Sequence, residues 1–182
     1  MEFELETRKR IYELIRDSPG VHLRELTRRL DIVIGSLQYN LHYMEKKNMI
    51  YSIKDEDYVR YFVKDRKFGE DEQNILSFLR RTACRHILIN LLQNGTMNNK
   101  ELSDAVALSP STVSWHLNKL AGSGVITKEK VGRISNFTVT DPELVAELLI
   151  LYKESFLDSL LDSFIDMWEL DKKKSKNDLQ SV

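Results

Sequence analysis

One cysteine, Cys84, stands among 182 residues, which excludes an internal disulfide and leaves no thiolate cluster to hold zinc. Glycine is also scarce: there are seven, and none shows the spacing of a phosphate-cradling loop. No apolar run approaches the roughly 20 residues of a membrane span. The opening Met1-Glu2-Phe3-Glu4-Leu5-Glu6 is acidic and lacks the basic-then-apolar order of a signal peptide. A cytoplasmic location without a membrane partner is expected. Cys84 and His86 have no further cysteine or carboxylate cluster in register, and no Ser/His/Asp set emerges, so the expectation is no metal, no cofactor and no enzymatic activity. A lone cysteine is more often buried than reactive.

What is present, 42% hydrophobic and 30% charged residues, is ordinary for a globular protein. The net charge of −1 conceals a division: residues 1–68 carry +2, residues 69–141 carry +1 and residues 142–182 carry −4. A polyanion would have to meet the first two segments, through a basic face more than a basic total.

The chain also resembles itself. Residues 23–53 align with 99–129 at a constant offset of 76: Arg24-Glu25-Leu26 with Lys100-Glu101-Leu102, Leu37 with Val113, Tyr39 with Trp115, Leu41 with Leu117, Ile50 with Ile126. Upstream, Ile11, Leu14 and Ile15 align with Leu88, Leu91 and Leu92 at 77, which suggests a loop one residue longer. Each copy has one grammar. A first helix (about 7–17 and 83–93) stops at Ser18-Pro19-Gly20 or Asn94-Gly95. A short second helix follows, capped by Asn98 with Glu101 three residues on, or less well by His22 with Glu25. A third helix (35–47 and 110–121) begins in copy two with Ser109 as cap and Pro110 at its first position. Two short strands close each copy, 49–53 with 58–63 and 125–130 with 135–140.

Three helices and a hairpin make a winged helix-turn-helix, so the expected fold is mainly α with small β-hairpin wings (α+β). The expected organisation is a winged domain at 1–68, a connecting helix at 69–82, a second winged domain at 83–141, a C-terminal dimerisation helix at 142–171 and a disordered basic tail at 172–182. In that last helix Pro142 and Glu143 suit the start. Leu149, Tyr152, Phe156, Leu160, Phe164 and Trp168 then form one apolar face, expected to pair two chains.

Asn99-Lys100-Glu101-Leu102-Ser103, the run Leu108-Ser109-Pro110-Ser111-Thr112-Val113-Ser114-Trp115-His116-Leu117-Asn118-Lys119-Leu120, and Gly124-Val125-Ile126 resemble winged-helix regulators of the ArsR-like group, archaeal ones above all. The similarity spans about residues 83–140. Copy one resembles the group more loosely, through Ser18-Pro19-Gly20-Val21-His22-Leu23-Arg24-Glu25-Leu26 and Tyr39-Asn40-Leu41. The doubled arrangement is similar to archaeal tandem winged-helix transcription regulators. The resemblance implies a transcriptional regulator that binds double-stranded DNA in a sequence-specific manner and works as a homodimer.

A helix in the major groove reads bases with short hydrogen-bonding side chains, while cations hold phosphates. In copy two, Ser111, Thr112, Ser114 and Asn118 suit that reading face, Trp115 suits either a sugar contact or the seam between helices, and Lys128, Lys130 and Arg133 charge the wing. In copy one, Arg24 and Arg28 suit phosphates, and Gln38, Tyr39 and His42 suit a groove. Yet Val33-Ile34 replaces the cap pair, and Asp55-Glu56-Asp57 makes an acidic wing tip that would repel phosphate. Copy one is therefore open to DNA or protein. The rival whole-chain readings are a protein–protein scaffold and a recruiter of the basal transcription machinery.

Overall fold

The computed structural model describes residues 2–55, 58–158, 160, 161, 163–165, 167 and 168. The chain divides into two compact units, Met1–Arg80 and Arg81–Val182. In the first, α1 (Glu2–Asp17), β1 (Val21–His22), α2 (Leu23–Leu30), α3 (Ile34–Lys46), β2 (Ile50–Asp55), β3 (Tyr58–Val63) and α4 (Glu70–Leu79) follow in order. In the second the order is α5 (Thr82–Asn94), β4 (Met97–Asn98), α6 (Asn99–Val106), α7 (Pro110–Gly122), β5 (Ile126–Val131), β6 (Ile134–Val139), α8 (Pro142–Leu151) and α9 (Lys153–Phe156).

Helical spacing of apolar residues builds each core. Ile11 and Ile15 of α1, Leu26 of α2 and Leu37, Leu41 and Met44 of α3 are all buried beneath Ile50 and Phe62 of the hairpin. The second unit repeats this with Ile87 and Leu91, Leu102, and Val113, Leu117 and Leu120 beneath Ile126 and Phe137. The hairpins pair in register, Ile50 opposite Val63 and Ile126 opposite Val139. Gly132 turns the second hairpin at φ 64, a conformation glycine adopts without a Cβ penalty. Each sheet also has a third, two-residue strand that the pattern of the sequence does not reveal, giving the orders β1-β3-β2 and β4-β6-β5.

Three expectations are corrected. First, the offset is 76 throughout. Arg8 Nε donates to Asn40 Oδ1 at 3.0 Å, and Cys84 Sγ meets His116 Nδ1 at 3.3 Å, so the same two positions touch in both copies with no residue inserted.

Second, the connecting helix expected at 69–82 is α4, which ends at Leu79 and is part of the first unit. Gln73 Nε2 donates to the Tyr51 hydroxyl at 3.2 Å, Arg80 Nε donates to the Pro19 carbonyl at 3.0 Å, and Ile75, Leu76 and Leu79 are buried.

Third, no single helix spans 142–171. The helix breaks at Tyr152, and after α9 the chain turns through Leu157 at φ 52. The break seats Asp158 against α5, where Oδ2 accepts from Arg85 Nε at 2.7 Å and lies 2.9 Å from His86 Nε2. Arg85 also lies over the Phe156 ring at 5.2 Å. Helix resumes at 160, 161, 163–165, 167 and 168. The residues expected to pair two chains are instead used within one: Leu149, Tyr152, Phe156 and Phe164 are buried, and Leu160 and Trp168 are half-buried. The proposed basic tail, 172–182, lies outside the described residues.

The Arg85–Asp158 pair yields a stability prediction. Burial alone would push the Asp158 carboxyl up, but hydrogen bonding and charge from Arg85, then His86, outweigh it and hold the carboxyl below its ordinary value. A carboxyl with a lowered folded pKa adds stability above its unfolded value, about pH 4, and loses it as pH falls through the folded value. Asp158→Asn should cost on the order of 3 kcal/mol at neutral pH, since it leaves the Arg85 charge in place without that carboxylate. The deficit should shrink below about pH 4. Urea unfolding of parent and variant at neutral and acid pH measures both effects.

Candidate nucleic-acid interface

In copy two the pairing of β4 with β6 sets Asn98 beside the wing, and Asn98 is also the cap of α6. Its Oδ1 accepts from the Glu101 amide at 3.1 Å, while Glu101 Oε2 accepts from the Asn98 amide at 2.8 Å. Ala107, left-handed at φ 54, ends α6 and turns the chain into Ser109, whose Oγ accepts from the Thr112 amide at 3.2 Å at the head of α7. With Val113, Leu117 and Leu120 committed to the core, Ser111, Thr112, Ser114, Trp115 and Asn118 are left exposed on the other side.

Asn99 ties the two helices together. Its Nδ2 donates to Ser114 Oγ at 2.9 Å and to the Pro110 carbonyl at 3.2 Å. Asn99, Lys100, Ser114 and Asn118 then form one side of a groove of about 370 Å³, with Lys128 and Arg133 of the wing on the other. Asn99 and Lys100 are not among the DNA contacts expected from the sequence, although the Asn98 cap signal puts them in the first turn of α6. Lys130, exposed on β5, does not line the groove, nor do Ser111, Thr112 or Trp115. Trp115 is a surface residue and not a seam filler: it is 51% exposed, with Lys119 Nζ 3.7 Å from its ring. His116, half-buried against Cys84, has its pKa lowered by burial and by the Arg81 and Lys119 charges, which favours the neutral imidazole.

Copy one builds the same groove from different chemistry. His22 both ends β1 and caps α2, its Nδ1 accepting from the Glu25 amide at 3.2 Å. Burial lowers its pKa, outweighing the charge of Glu25, and so keeps that nitrogen an acceptor. His22, Arg24, Gln38, Tyr58, Val59 and Tyr61 line a groove of about 370 Å³. Each stands 76 positions before a residue lining the groove of copy two: Asn98, Lys100, Ser114, Ile134, Ser135 and Phe137. Arg28, Tyr39 and His42 are exposed outside it.

Of the acidic residues expected at the wing tip of copy one, Asp55 is paired. Asp55 Oδ2 accepts from Arg60 Nε at 2.7 Å, and Arg60, 1% exposed, also donates to the Gly20 carbonyl at 3.1 Å. Glu56 and Asp57 lie outside the described residues. Among the described residues no group of three or more His, Cys, Asp or Glu is placed to hold a metal ion, and no helix is long and apolar enough to cross a membrane.

The chain is similar in sequence to known helix-turn-helix proteins. A family model described as an N-terminal HTH domain matches residues 5–76, and one described as winged helix-turn-helix DNA-binding matches residues 85–127. An uncharacterized HTH-type transcriptional regulator of Methanocaldococcus jannaschii is 33% identical over 130 residues, 71% of this chain and 32% of that protein. An uncharacterized protein of the same organism is 33% identical over 78 residues, 42% of this chain and 16% of that one. The chain thus spans about a third of the first relative and about a sixth of the second. Among solved structures, HlyU from Vibrio cholerae aligns at 25% identity with a TM-score of 0.41, over 47% of this chain and 96% of that one. The transcriptional repressor BigR from Xylella fastidiosa aligns at 20% identity with a TM-score of 0.40, over 44% of this chain and 81% of that one.

The caps of α3 and α7 predict opposite stability changes. Val33 caps α3 without a side-chain hydrogen bond, whereas Ser109 makes one. Ser109→Ala should cost about 1 kcal/mol, and Val33→Ser should add up to about 1 kcal/mol. Thermal unfolding of the two variants checks both signs.

The Asp55–Arg60 pair predicts a third change. Asp55→Asn should destabilise the first unit by on the order of 3 kcal/mol, because a buried arginine loses its carboxylate. Denaturant melts followed by circular dichroism measure the loss.

Proposed function

We propose that this chain, a protein of two winged helix-turn-helix domains in tandem, is a sequence-specific DNA-binding transcriptional regulator whose principal reading helix is α7. The observation that carries this reading is the groove of copy two. Asn99 holds Ser114 in place, Asn118 stands one turn further along α7, and Lys100, Lys128 and Arg133 surround them with positive charge. Pre-positioned short polar groups inside a ring of cations are what base-edge contact within a phosphate frame requires. Ser111 and Thr112 would meet bases or phosphates at the head of the helix, and Lys130 would add charge to the wing. Copy one would contribute Arg24 and Arg28 to phosphates, and Gln38, Tyr39 and His42 to the groove.

A regulator of this kind acts in the cytoplasm without catalysis, and two copies would match a two-fold operator. With most of the apolar face of the C-terminal segment turned inward, the contact between copies would fall on what stays exposed there among the described residues, Leu151, Leu157 and Met167.

The test is binding of duplex DNA as a function of salt. The parent should bind random duplex with strong salt dependence. A Ser114→Ala/Asn118→Ala/Arg133→Ala protein should lose on the order of 100-fold or more on a selected site, at about 1–3 kcal/mol per contact. Arg133→Ala alone should reduce the salt slope by about one. A folded triple variant that bound its site normally would remove α7 from the reading role. A parent chain with no salt-dependent binding at low ionic strength would favour the protein scaffold.

A further inference from the structure

The head of α3 combines three features that the fold of copy one does not need. Val33 is 78% exposed and Ile34 beside it is 49% exposed. Val33 caps the helix without a side-chain hydrogen bond, a place where Ser, Thr, Asp or Asn would serve the free protein better. Gly35 then occupies the first turn, where glycine is less favourable than alanine. Nothing local calls for that glycine. Its φ is not in the positive region, and a Cβ built on it would meet no atom within 4 Å.

Each choice works against the isolated domain, and all three make sense if a partner comes close to the backbone here and covers apolar side chains. Position within the repeat says where that partner lies. Val33, Ile34 and Gly35 stand 76 positions before Ser109, Pro110 and Ser111, at the end of the recognition helix that approaches base edges in a helix-turn-helix. The flanking charge suits a polyanion: Arg24 lines the adjoining groove with Gln38, and Arg28 is exposed on the same helix, α2, which packs against α3. Among the groups that base pairs present in the major groove, the thymine C5-methyl is the apolar one.

Building on the reading of the chain as a DNA-binding regulator, we propose that Val33 and Ile34 are specificity residues that cover thymine methyls in the major groove, and that Gly35 lets the helix backbone approach closely enough for that contact. Copy two thus selects bases by hydrogen bonds and copy one selects thymine by apolar contact.

The experiment selects duplexes from a random library with the full chain, then replaces thymines of the bound site one at a time with uracil, which pairs identically but lacks the methyl. One or two replacements should weaken binding by about fourfold for each methyl covered. That difference should vanish in Val33→Ser and Ile34→Ala proteins. Gly35→Ala should melt at an unchanged or higher temperature yet bind the thymine site more weakly, a split that a structural role for the glycine would not produce.

Indifference to uracil at every position, with binding otherwise intact, overturns the proposal and leaves the regulator reading standing. A uracil effect that persists in the Val33 and Ile34 variants assigns the methyls to another surface and also overturns it. If all three variants bind DNA as the parent does, the patch belongs to a protein partner. A parent that binds no duplex overturns this inference and the regulator reading together.

Discussion

In each copy a two-residue strand pairs with the inner strand of the wing, Val21 opposite Tyr61 and His22 opposite Arg60, Met97 opposite Phe137 and Asn98 opposite Asn136. The last residue of each pair is also the cap of the helix that follows, so one residue joins the sheet and starts the helix. That double duty is the constraint on which the reading surface depends. It fixes where α2 and α6 begin relative to the wing, and thereby the width of the groove between wing and recognition helix. Glycines at φ 79 before β1 and φ 74 before β4 bring the chain into these pairings.

Within this shared frame the two copies have diverged in chemistry more than in shape. The contact between first and third helix is a guanidinium on an amide in one copy, Arg8 on Asn40, and a thiol on an imidazole in the other, Cys84 on His116. The aromatic next to that contact stays exposed in both, as Tyr39 and Trp115. The groove changes most. Copy two presents Asn98, Asn99, Ser114 and Ser135 where copy one presents His22, Leu23, Gln38 and Val59, while both keep a cation, Lys100 or Arg24, and an aromatic ring, Phe137 or Tyr61. His22 and Tyr58 stack with ring centroids 5.0 Å apart, which commits part of that groove to aromatic surface.

Much of this was legible because period and chemistry agreed. The 76-residue repeat, the Asn98–Glu101 cap, Ser109-Pro110 and the polar face of α7 are local patterns whose meaning does not depend on distant residues. The two-residue strands were not legible, since two residues cannot display an alternating pattern. The shift of 77 was a false reading of the apolar run Ile87-Leu88-Ile89, where several registers look alike and only the Arg8–Asn40 and Cys84–His116 contacts decide. The break at 152–158 left no mark either. No glycine or proline stands there, and the left-handed turn at Leu157 accompanies the pairing of Asp158 with Arg85, 73 positions away. All thirteen residues expected to meet DNA are exposed, but which of them share a groove depends on the short strands.

Under the proposed function these two equivalent grooves, with the helix heads beside them, serve as the same functional surface in both copies. Chemical-shift mapping of the isotope-labelled full chain, titrated with a duplex selected for binding, tests it most directly. The largest amide shifts should fall on Asn99, Lys100, Ser114, Asn118 and Arg133 in copy two, and on Arg24, Ile34, Gly35 and Gln38 in copy one. Shifts concentrated instead on α4, α8 and α9, with both grooves silent, would contradict it.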